Sequence, residues 1–381
     1  MLSIPFVAGL FAVSSFWLGQ VNSLTISKRG TCAATNTAAE ALASRIQSHY
    51  FNIVTGEYSE LWTDANTLED IHTLMLAAGV TTWDSLAGES YIGRVANTGI
   101  PSWSTVLDGS YDDAQWIILS LWKIADYQTS QGKSATNYLN AANTIYDIVS
   151  AQWDDTTCNG GVWWSSDKNY KNSITNHLYL YTSAEGYNRN NNQTYLDNAE
   201  KTWTWLEASG LRNSQGLWND GLDTTSCANN GQTTWTYNQG VIASGLGALS
   251  KANGNTSLPA QAEITLDAAI SLLTQDNILK ESCDDVTSGG SSCNADQQIF
   301  KGVWAKHLAY YLDAVNSATS EAKYSPFLGS LNSAVTHYGV DADGDCSSTW
   351  YAANAGGGTY TAQSDASGLA AFNAASKYGP C

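Results

Sequence analysis

The sequence alternates two kinds of helical segment, and this alternation constrains the fold more than any other feature of the chain. Six segments are apolar on nearly every face, as expected for helices surrounded by protein. They begin near Asn66, Asp112, Asn172, Asn238, Lys301 and Asp365. The repeat is one of structure rather than of residue identity.

Between the apolar segments lie others with a single apolar stripe. Their apolar residues follow the i, i+3/i+4, i+7 spacing of a helix that buries one face. These striped segments cover 38–51, 83–96, 139–153, 196–206, 261–273 and 327–338. This pattern of six fully buried and six half-exposed helices predicts an all-α fold, an (α/α)6 barrel of six inner and six outer helices.

Proline and glycine indicate that the barrel is one domain. The chain has only 5 Pro, and many of its 32 Gly lie in connecting stretches, so no linker divides it. We therefore predict a single domain over 30–381. Strand-like alternation is scarce, and we expect only small hairpins at the barrel rim, near 161–164 and 216–218.

Both ends of the chain predict a secreted, extracellular protein. An apolar run over 4–18 leads to small residues that suit cleavage after Ser23, which predicts a signal peptide over 1–23. The run is shorter than the roughly 20 residues of a membrane-spanning helix. Lys28-Arg29 would end a short propeptide over 24–29 if a dibasic protease cuts there, or it is a solvated pair. The polar C-terminus lacks the hydrophobic tail of a lipid-anchor signal, so no membrane anchor is expected.

The cysteines and sequons agree with secretion. All seven cysteines follow residue 30, where an oxidising compartment would pair most of them. We expect a disulfide between Cys283 and Cys293, whose short Ser- and Gly-rich loop can bring them together, and leave the other pairings open. Asn192 and Asn255 begin glycosylation sequons. Cys and His form no zinc motif, and we expect no metal or other cofactor.

Composition limits the classes of partner that the protein is expected to bind. The net charge of −18 leaves no broad basic surface for a phosphate backbone or an anionic lipid, so nucleic acid and membrane surfaces are improbable partners. Of the aromatic residues, 15 are Trp and 20 are Tyr against 7 Phe. Most aromatic rings thus carry a polar tip that can hydrogen-bond an amphipathic ligand. Sugar is the partner that this composition favours.

Clusters of polar and aromatic residues open five of the six apolar segments. If the inner helices run parallel, these openings converge around one pocket at one end of the barrel. For each residue a structural role competes with binding: capping for polar side chains, core packing for aromatic ones and ion pairing for lysines. The candidate substrate-binding residues are Trp62, Asn66, Tyr111, Trp116, Lys171, Asn172, Tyr237, Asn238, Gln239 and Lys301.

Asp112 and Asp113 are the only adjacent carboxylates in these openings. Glycoside cleavage needs one carboxylate that is ionised and one that donates a proton, and adjacent residues at a helix start can place both near one bond. The dipeptides at 154–155 and 284–285 have the same composition, but neither opens an apolar segment. We therefore predict that Asp112 and Asp113 are the catalytic pair.

Several motifs together resemble glycoside hydrolase family 76. They are Tyr-Asp-Asp-Ala-Gln-Trp at 111–116, Cys-Asn-Gly-Gly-Val-Trp-Trp at 158–164, Tyr-Lys-Asn-Ser-Ile-Thr-Asn at 170–176, Thr-Tyr-Asn-Gln-Gly at 236–240 and Phe-Lys-Gly at 300–302. The resemblance implies an (α/α)6 barrel and endo-acting, retaining hydrolysis of the α-1,6-linked mannan of fungal walls. It also implies that Asp112 is the nucleophile and Asp113 the acid/base.

The same residues also fit other functions. A mannan transglycosylase that remodels walls would use the same residues, with a sugar hydroxyl in place of water. A non-catalytic carbohydrate-binding protein could keep the pocket, although the intact acid pair argues for catalysis. An inverting hydrolase would place its acids on separate helices. We expect a monomer whose partners are α-1,6-mannan or manno-oligosaccharides.

Overall fold

The computed structural model of the protein describes residues 31–107, 109–284, 293–352 and 358–381. The predicted signal peptide over 1–23 and propeptide over 24–29 lie outside the described residues. Residues Thr31–Cys381 form one compact unit. Within the described part of the chain, no helix combines the length and apolar character needed to cross a lipid bilayer.

Helices make up most of the described chain. In order they are α1 (Ala33–His49), α2 (Leu61–Ala78), α3 (Leu86–Glu89), α4 (Tyr91–Thr98), α5 (Trp103–Val106), α6 (Tyr111–Ser130), α7 (Thr136–Ser150), α8 (Ser173–Asn190), α9 (Gln193–Ala208), α10 (Thr236–Asn253), α11 (Leu258–Leu272), α12 (Ala295–Val315), α13 (Ala318–Ala334) and α14 (Ala362–Tyr378). Helices α2, α6, α8, α10, α12 and α14 pack in that order, and α14 packs against α2, so they close an inner ring. Helices α1, α4, α7, α9, α11 and α13 lie outside it. The predicted (α/α)6 barrel is confirmed.

The boundaries differ from the sequence pattern in several places, and α13 begins at Ala318, nine residues before the striped segment predicted over 327–338. The segment over 83–96 is not one helix, because Ser90 adopts an extended conformation and its side chain accepts a hydrogen bond from the Gly93 N–H, which starts α4. Inner helices α2 and α12 begin at Leu61 and Ala295, several residues before the predicted starts. The first turns of these helices contain polar residues, so apolar periodicity alone does not predict where the helices begin.

Short strands lie between the helices. An antiparallel sheet joins β1 (Lys171–Asn172), β2 (Gly221–Asp223) and β3 (Ala228–Asn229), and β4 (Thr274–Gln275) pairs with β5 (Ile278–Leu279). In the three-stranded sheet Leu222 lies opposite both Lys171 and Asn229. The segments at 161–164 and 216–218 form isolated bridges, such as Trp153 with Val162, rather than the expected hairpins.

Two of the three disulfides tie distant parts of the chain, and the third closes a short loop. Cys32 bonds Cys381, which joins the start of α1 to the C-terminal end, and Cys158 bonds Cys227 across the sheet region. Cys283 bonds Cys293, the pair expected from the sequence. Among the described residues Cys346 is a free thiol, and it is buried.

Glycines let the inner helices approach closely near their N-terminal ends. A Cβ at Gly302 in α12 would lie 2.4 Å from the Ser367 Cα in α14, and one at Gly240 in α10 would lie 2.7 Å from the Trp304 Cα in α12. The Gly302 N–H also donates to the Ser367 Oγ at 2.9 Å. Only glycine has room at these contacts, which hold three inner helices together beside the ring opening.

Replacing Gly302 with alanine should therefore lower the free energy of unfolding by ~1–3 kcal/mol, the usual cost of overpacking a core. Gly88→Ala is a matched control, since a Cβ there meets no atom within 4 Å. Chemical denaturation of both variants measures the difference. Equal stability of Gly302→Ala and the unsubstituted protein would contradict the close helix contact.

Candidate active site

Aromatic side chains from four inner helices meet at the end of the barrel where these helices begin. Trp62 of α2 lies 6.1 Å from Trp116 of α6 and 6.4 Å from Phe300 of α12, between ring centroids. Tyr237 of α10 stacks on Phe300 at 3.9 Å. These four rings form the aromatic floor of the site. Their contacts show that the N-terminal ends converge as the sequence predicts.

Asp112 and Asp113 lie in the first turn of α6, beside the aromatic floor. The start of that helix is held by the Tyr111 N–H, which donates to the Trp164 carbonyl at 2.8 Å. Asp112 is 9% exposed and Asp113 is half-buried. The Asp113 N–H donates to the Asp112 Oδ1 at 3.1 Å. The two predicted catalytic residues are thus neighbours in the first turn of an inner helix, and the Asp112 carboxylate lies against the Asp113 backbone.

Burial raises the pKa of Asp112 above its ordinary value. Hydrogen bonds from backbone N–H groups and from the Trp164 side chain lower that pKa, while the negative charge of Asp220 raises it. A carboxyl with a raised pKa can hold a proton near neutral pH, which is the property that a general acid requires. The electrostatics of the free protein therefore do not by themselves assign Asp112 the role of nucleophile.

Further carboxylates lie near the Tyr237 ring. Burial chiefly raises the pKa of Tyr237, and the charges of Asp220, Asp112, Asp296 and Glu281 raise it further, which places all four near this ring. Asp220 accepts a hydrogen bond from the Tyr170 hydroxyl. Asp296 accepts one from the Trp62 Nε1 at 2.9 Å. No sequence motif predicts Asp220 or Asp296 as a site residue, although Asp296 lies in the first turn of an inner helix.

The predicted aromatic residues differ in exposure. Trp62, Tyr111 and Tyr237 each keep 9% of their surface accessible, so they can present an edge to a ligand. Trp116 is 2% exposed and packs edge-on against His307, so it packs in the core. The aromatic floor is therefore partly ligand-facing and partly structural.

The predicted polar residues are buried and mostly structural. The Asn66 Oδ1 accepts a hydrogen bond from the Lys306 ammonium at 2.8 Å, and the Asn172 side chain caps α8. The Gln239 side chain bonds the backbone N–H and carbonyl of Trp218. These contacts give Asn66, Asn172 and Gln239 structural roles, and their role in substrate binding stays a prediction. The Asn238 side chain is fully buried and has no hydrogen-bond partner among the described residues.

Lys171, another predicted substrate-binding residue, has a structural role in the described part of the chain. Its ammonium group is fully buried and donates to the carbonyls of Asp154, Thr157 and Gly160, at 2.8, 2.6 and 2.7 Å. It also pairs with the Asp154 carboxylate at 3.2 Å. Lys171 therefore stabilises the loop at 154–160 and has no donor directed at the pocket.

Lys301 likewise has a structural role. Its ammonium group is fully buried, forms an ion pair with the Asp284 carboxylate at 2.6 Å and donates to the Ser348 carbonyl at 2.7 Å. The expected role of Lys301 in substrate binding stays a prediction. The carboxylate of Asp284 and the sulfurs of Cys283 and Cys293 lie close enough to hold a metal, but both sulfurs are in the disulfide and so are not thiolate ligands.

Comparison with known proteins identifies the family. The family model described as glycosyl hydrolase family 76 matches residues 31–378. This chain belongs to that family. Its resemblance to the family, inferred above from short motifs, is thereby confirmed.

Relatives of known name include the mannan endo-1,6-α-mannosidase DFG5 of Saccharomyces cerevisiae, 29% identical over 233 residues. That alignment covers 57% of this chain and 50% of the relative, so the chain spans about half the length of this curated relative. The structure of the GH76A α-1,6-mannanase from Salegentibacter sp. HEL1_6 is similar, with a TM-score of 0.76 and 17% identity, covering 90% of this chain and 98% of that one.

An inactive variant of the same bacterial enzyme, in which two adjacent aspartates are replaced by asparagine, has been solved in complex with α-1,6-mannotriose. It matches with a TM-score of 0.74 and 16% identity, covering 90% of this chain and 99% of that one. At these identities the likeness of the two structures establishes the shared family fold.

The structural role of Lys301 can be tested by Lys301→Met. We expect the free energy of unfolding to fall by about 3–5 kcal/mol, because Asp284 would remain buried without its counter-charge. Adding Asp284→Asn should recover part of the loss, since it removes the uncompensated charge. Thermal and chemical denaturation measure both variants. Unchanged stability combined with weaker sugar binding would instead support the original expectation.

Proposed function

We propose that this protein is an endo-acting glycoside hydrolase that cleaves α-1,6-mannosidic bonds of fungal wall-type mannan with retention of configuration. The observation that carries the proposal is the pair Asp112 and Asp113 at the ring opening, beside the aromatic floor. Family membership supports it, as does the inactivated bacterial relative, whose replaced residues are also two adjacent aspartates.

In the proposed reaction the Asp112 carboxylate attacks the anomeric carbon while the bond to the leaving oxygen breaks. Asp113 donates its proton to that oxygen, which leaves a glycosyl-enzyme ester on Asp112. Asp113, now ionised, then takes a proton from water, whose oxygen attacks the anomeric carbon and releases Asp112. The assignment of Asp112 as the nucleophile and Asp113 as the acid/base rests on the family resemblance.

Two kinds of contact would bind the sugar. The accessible edges of Trp62, Tyr111 and Tyr237 can pack on pyranose faces, and Trp164, which is 38% exposed, can do the same at the rim. The carboxylates at the rim can accept hydrogen bonds from sugar hydroxyls. A sugar hydroxyl in place of water in the second step would give transglycosylation, whereas a purely binding role leaves the acid pair unused.

The two carboxylates have different tasks, so their variants should behave differently. Asp112→Asn should abolish glycosyl-enzyme formation with every substrate. Asp113→Asn should reduce mannan cleavage by at least ~100-fold, the usual scale of general acid catalysis, yet spare the first step for an aryl α-mannoside whose phenolate needs no proton. Azide should then restore turnover of the aryl substrate and yield an α-mannosyl azide.

Product analysis by NMR checks these outcomes. Azide rescue of Asp112→Asn with a β-mannosyl azide would reverse the two roles, and initial release of β-configured ends by the unsubstituted protein would indicate inversion. Asp155→Asn is a control, because that residue lies in an exposed loop. If both catalytic variants keep full activity, the site lies elsewhere.

We further propose that the protein is secreted and glycosylated. The disulfides require an oxidising compartment, and both Asn192 and Asn255 are exposed in loops between helices. N-terminal sequencing of protein from the culture medium should find Leu24 or Gly30 first, and peptide:N-glycosidase treatment should reduce its mass. Retention of Met1 in a membrane fraction would contradict this proposal.

A further inference from the structure

A groove lies outside the aromatic floor, beside the start of α2. Its volume is about 590 Å³, and its lining includes Glu57, Leu61, Tyr91, Arg94 and Val106. This volume is within the range of about 300–1,000 Å³ that small-ligand sites occupy. None of the reactions proposed above uses it.

The groove has a rigid wall. Loop 52–57 is closed by hydrogen bonds between Asn52 and Glu57 and from the Gly56 N–H to the Asn52 carbonyl. Gly56 has a φ of +81°, and a Cβ there would lie 2.5 Å from the Glu89 carbonyl oxygen. The Tyr91 N–H donates to the Gly56 carbonyl at 2.9 Å. The loop is therefore pressed against the start of α4 in one conformation.

The lining has the groups that bind a neutral sugar. The Tyr91 ring can pack on a pyranose face, and the Glu57 carboxylate can accept hydrogen bonds from two neighbouring hydroxyls. The Arg94 guanidinium donates to the Thr55 carbonyl and has further N–H donors. Val54, on the same loop, is 81% exposed, so its apolar side chain is accessible to a ligand.

The groove is adjacent to the cleavage site along the chain. Leu61 immediately precedes Trp62 of the aromatic floor, and Val106 precedes Asp112 by six residues, a span of at most about 20 Å between Cα atoms. A polymer bound across the acid pair could therefore extend into the groove, whereas a single sugar at the acid pair could not.

We propose that this groove is an accessory subsite that binds a mannose residue of the polymer away from the cleaved bond. The proposal rests on the proposed function for the identity of the sugar. The subsite supplies binding energy to long chains only, so it favours polymeric mannan over short substrates.

Kinetics on two substrates tests this subsite. Glu57→Gln and Tyr91→Ala should each raise KM for long linear α-1,6-mannan ~10-fold, with kcat changed less than twofold, and leave kcat/KM for an aryl α-mannoside unchanged. Glu207→Gln and Tyr338→Ala are matched controls, since both residues are exposed and lie outside the groove. Equal losses on both substrates, or no loss on mannan, would overturn the proposal.

Failure of the proposed function would be recognised separately. If the unsubstituted protein cleaves neither substrate, that function is wrong, and calorimetric binding of long manno-oligosaccharides still tests the groove. Affinity that falls ~10-fold in Glu57→Gln relative to Glu207→Gln supports the subsite. An unchanged affinity, or no binding by the unsubstituted protein, overturns it.

Discussion

The close contact between inner helices is the constraint on which the rest of the structure depends. At Gly240 and Gly302 the backbone of one helix reaches the backbone of the next, and a side chain at either place would separate them. Because the contacts lie near the N-terminal ends, they bring first turns from different helices together. The positive ends of the helix dipoles then face one pocket, which favours the ionised form of carboxylates that burial would otherwise disfavour.

Two buried lysines lie where the helix dipole is unfavourable to a positive charge. The dipole destabilises a cation near a helix N-terminus, yet Lys171 and Lys301 both lie near such ends. Each is paired with an aspartate and bonded to loop carbonyls, so its charge is compensated away from the pocket. Deeper in the barrel, Lys306 pairs with Glu69 and Asp70 in the same way. These pairs hold loops and helices in one arrangement while the pocket itself stays acidic.

The acidic pocket is assembled from three separate parts of the chain. Asp112 and Asp113 come from the first turn of α6, Asp220 from the residue before β2 and Asp296 from the first turn of α12. Pairing of β1 with β2 brings Tyr170 to Asp220, and the indole N–H of Trp62 bonds Asp296 across the ring. The acid pair thus acts within a larger set of carboxylates and aromatic rings suited to a polyhydroxylated ligand.

The sequence by itself determined the features that depend on neighbours along the chain. Helical periodicity distinguished inner from outer helices, and the adjacency of Asp112 and Asp113 is covalent, so no folding step was needed to place them together. The tertiary structure decided whatever depends on partners far apart in sequence. In the sequence Lys301 is a candidate substrate-binding residue, whereas in the structure its ammonium group contacts Asp284 and the Ser348 carbonyl. No sequence pattern predicts Asp220 as a site residue, because strand pairing in the folded protein brings it near the pocket. The bond between Cys32 and Cys381 joins residues 349 positions apart, a proximity that only the closed ring of helices creates.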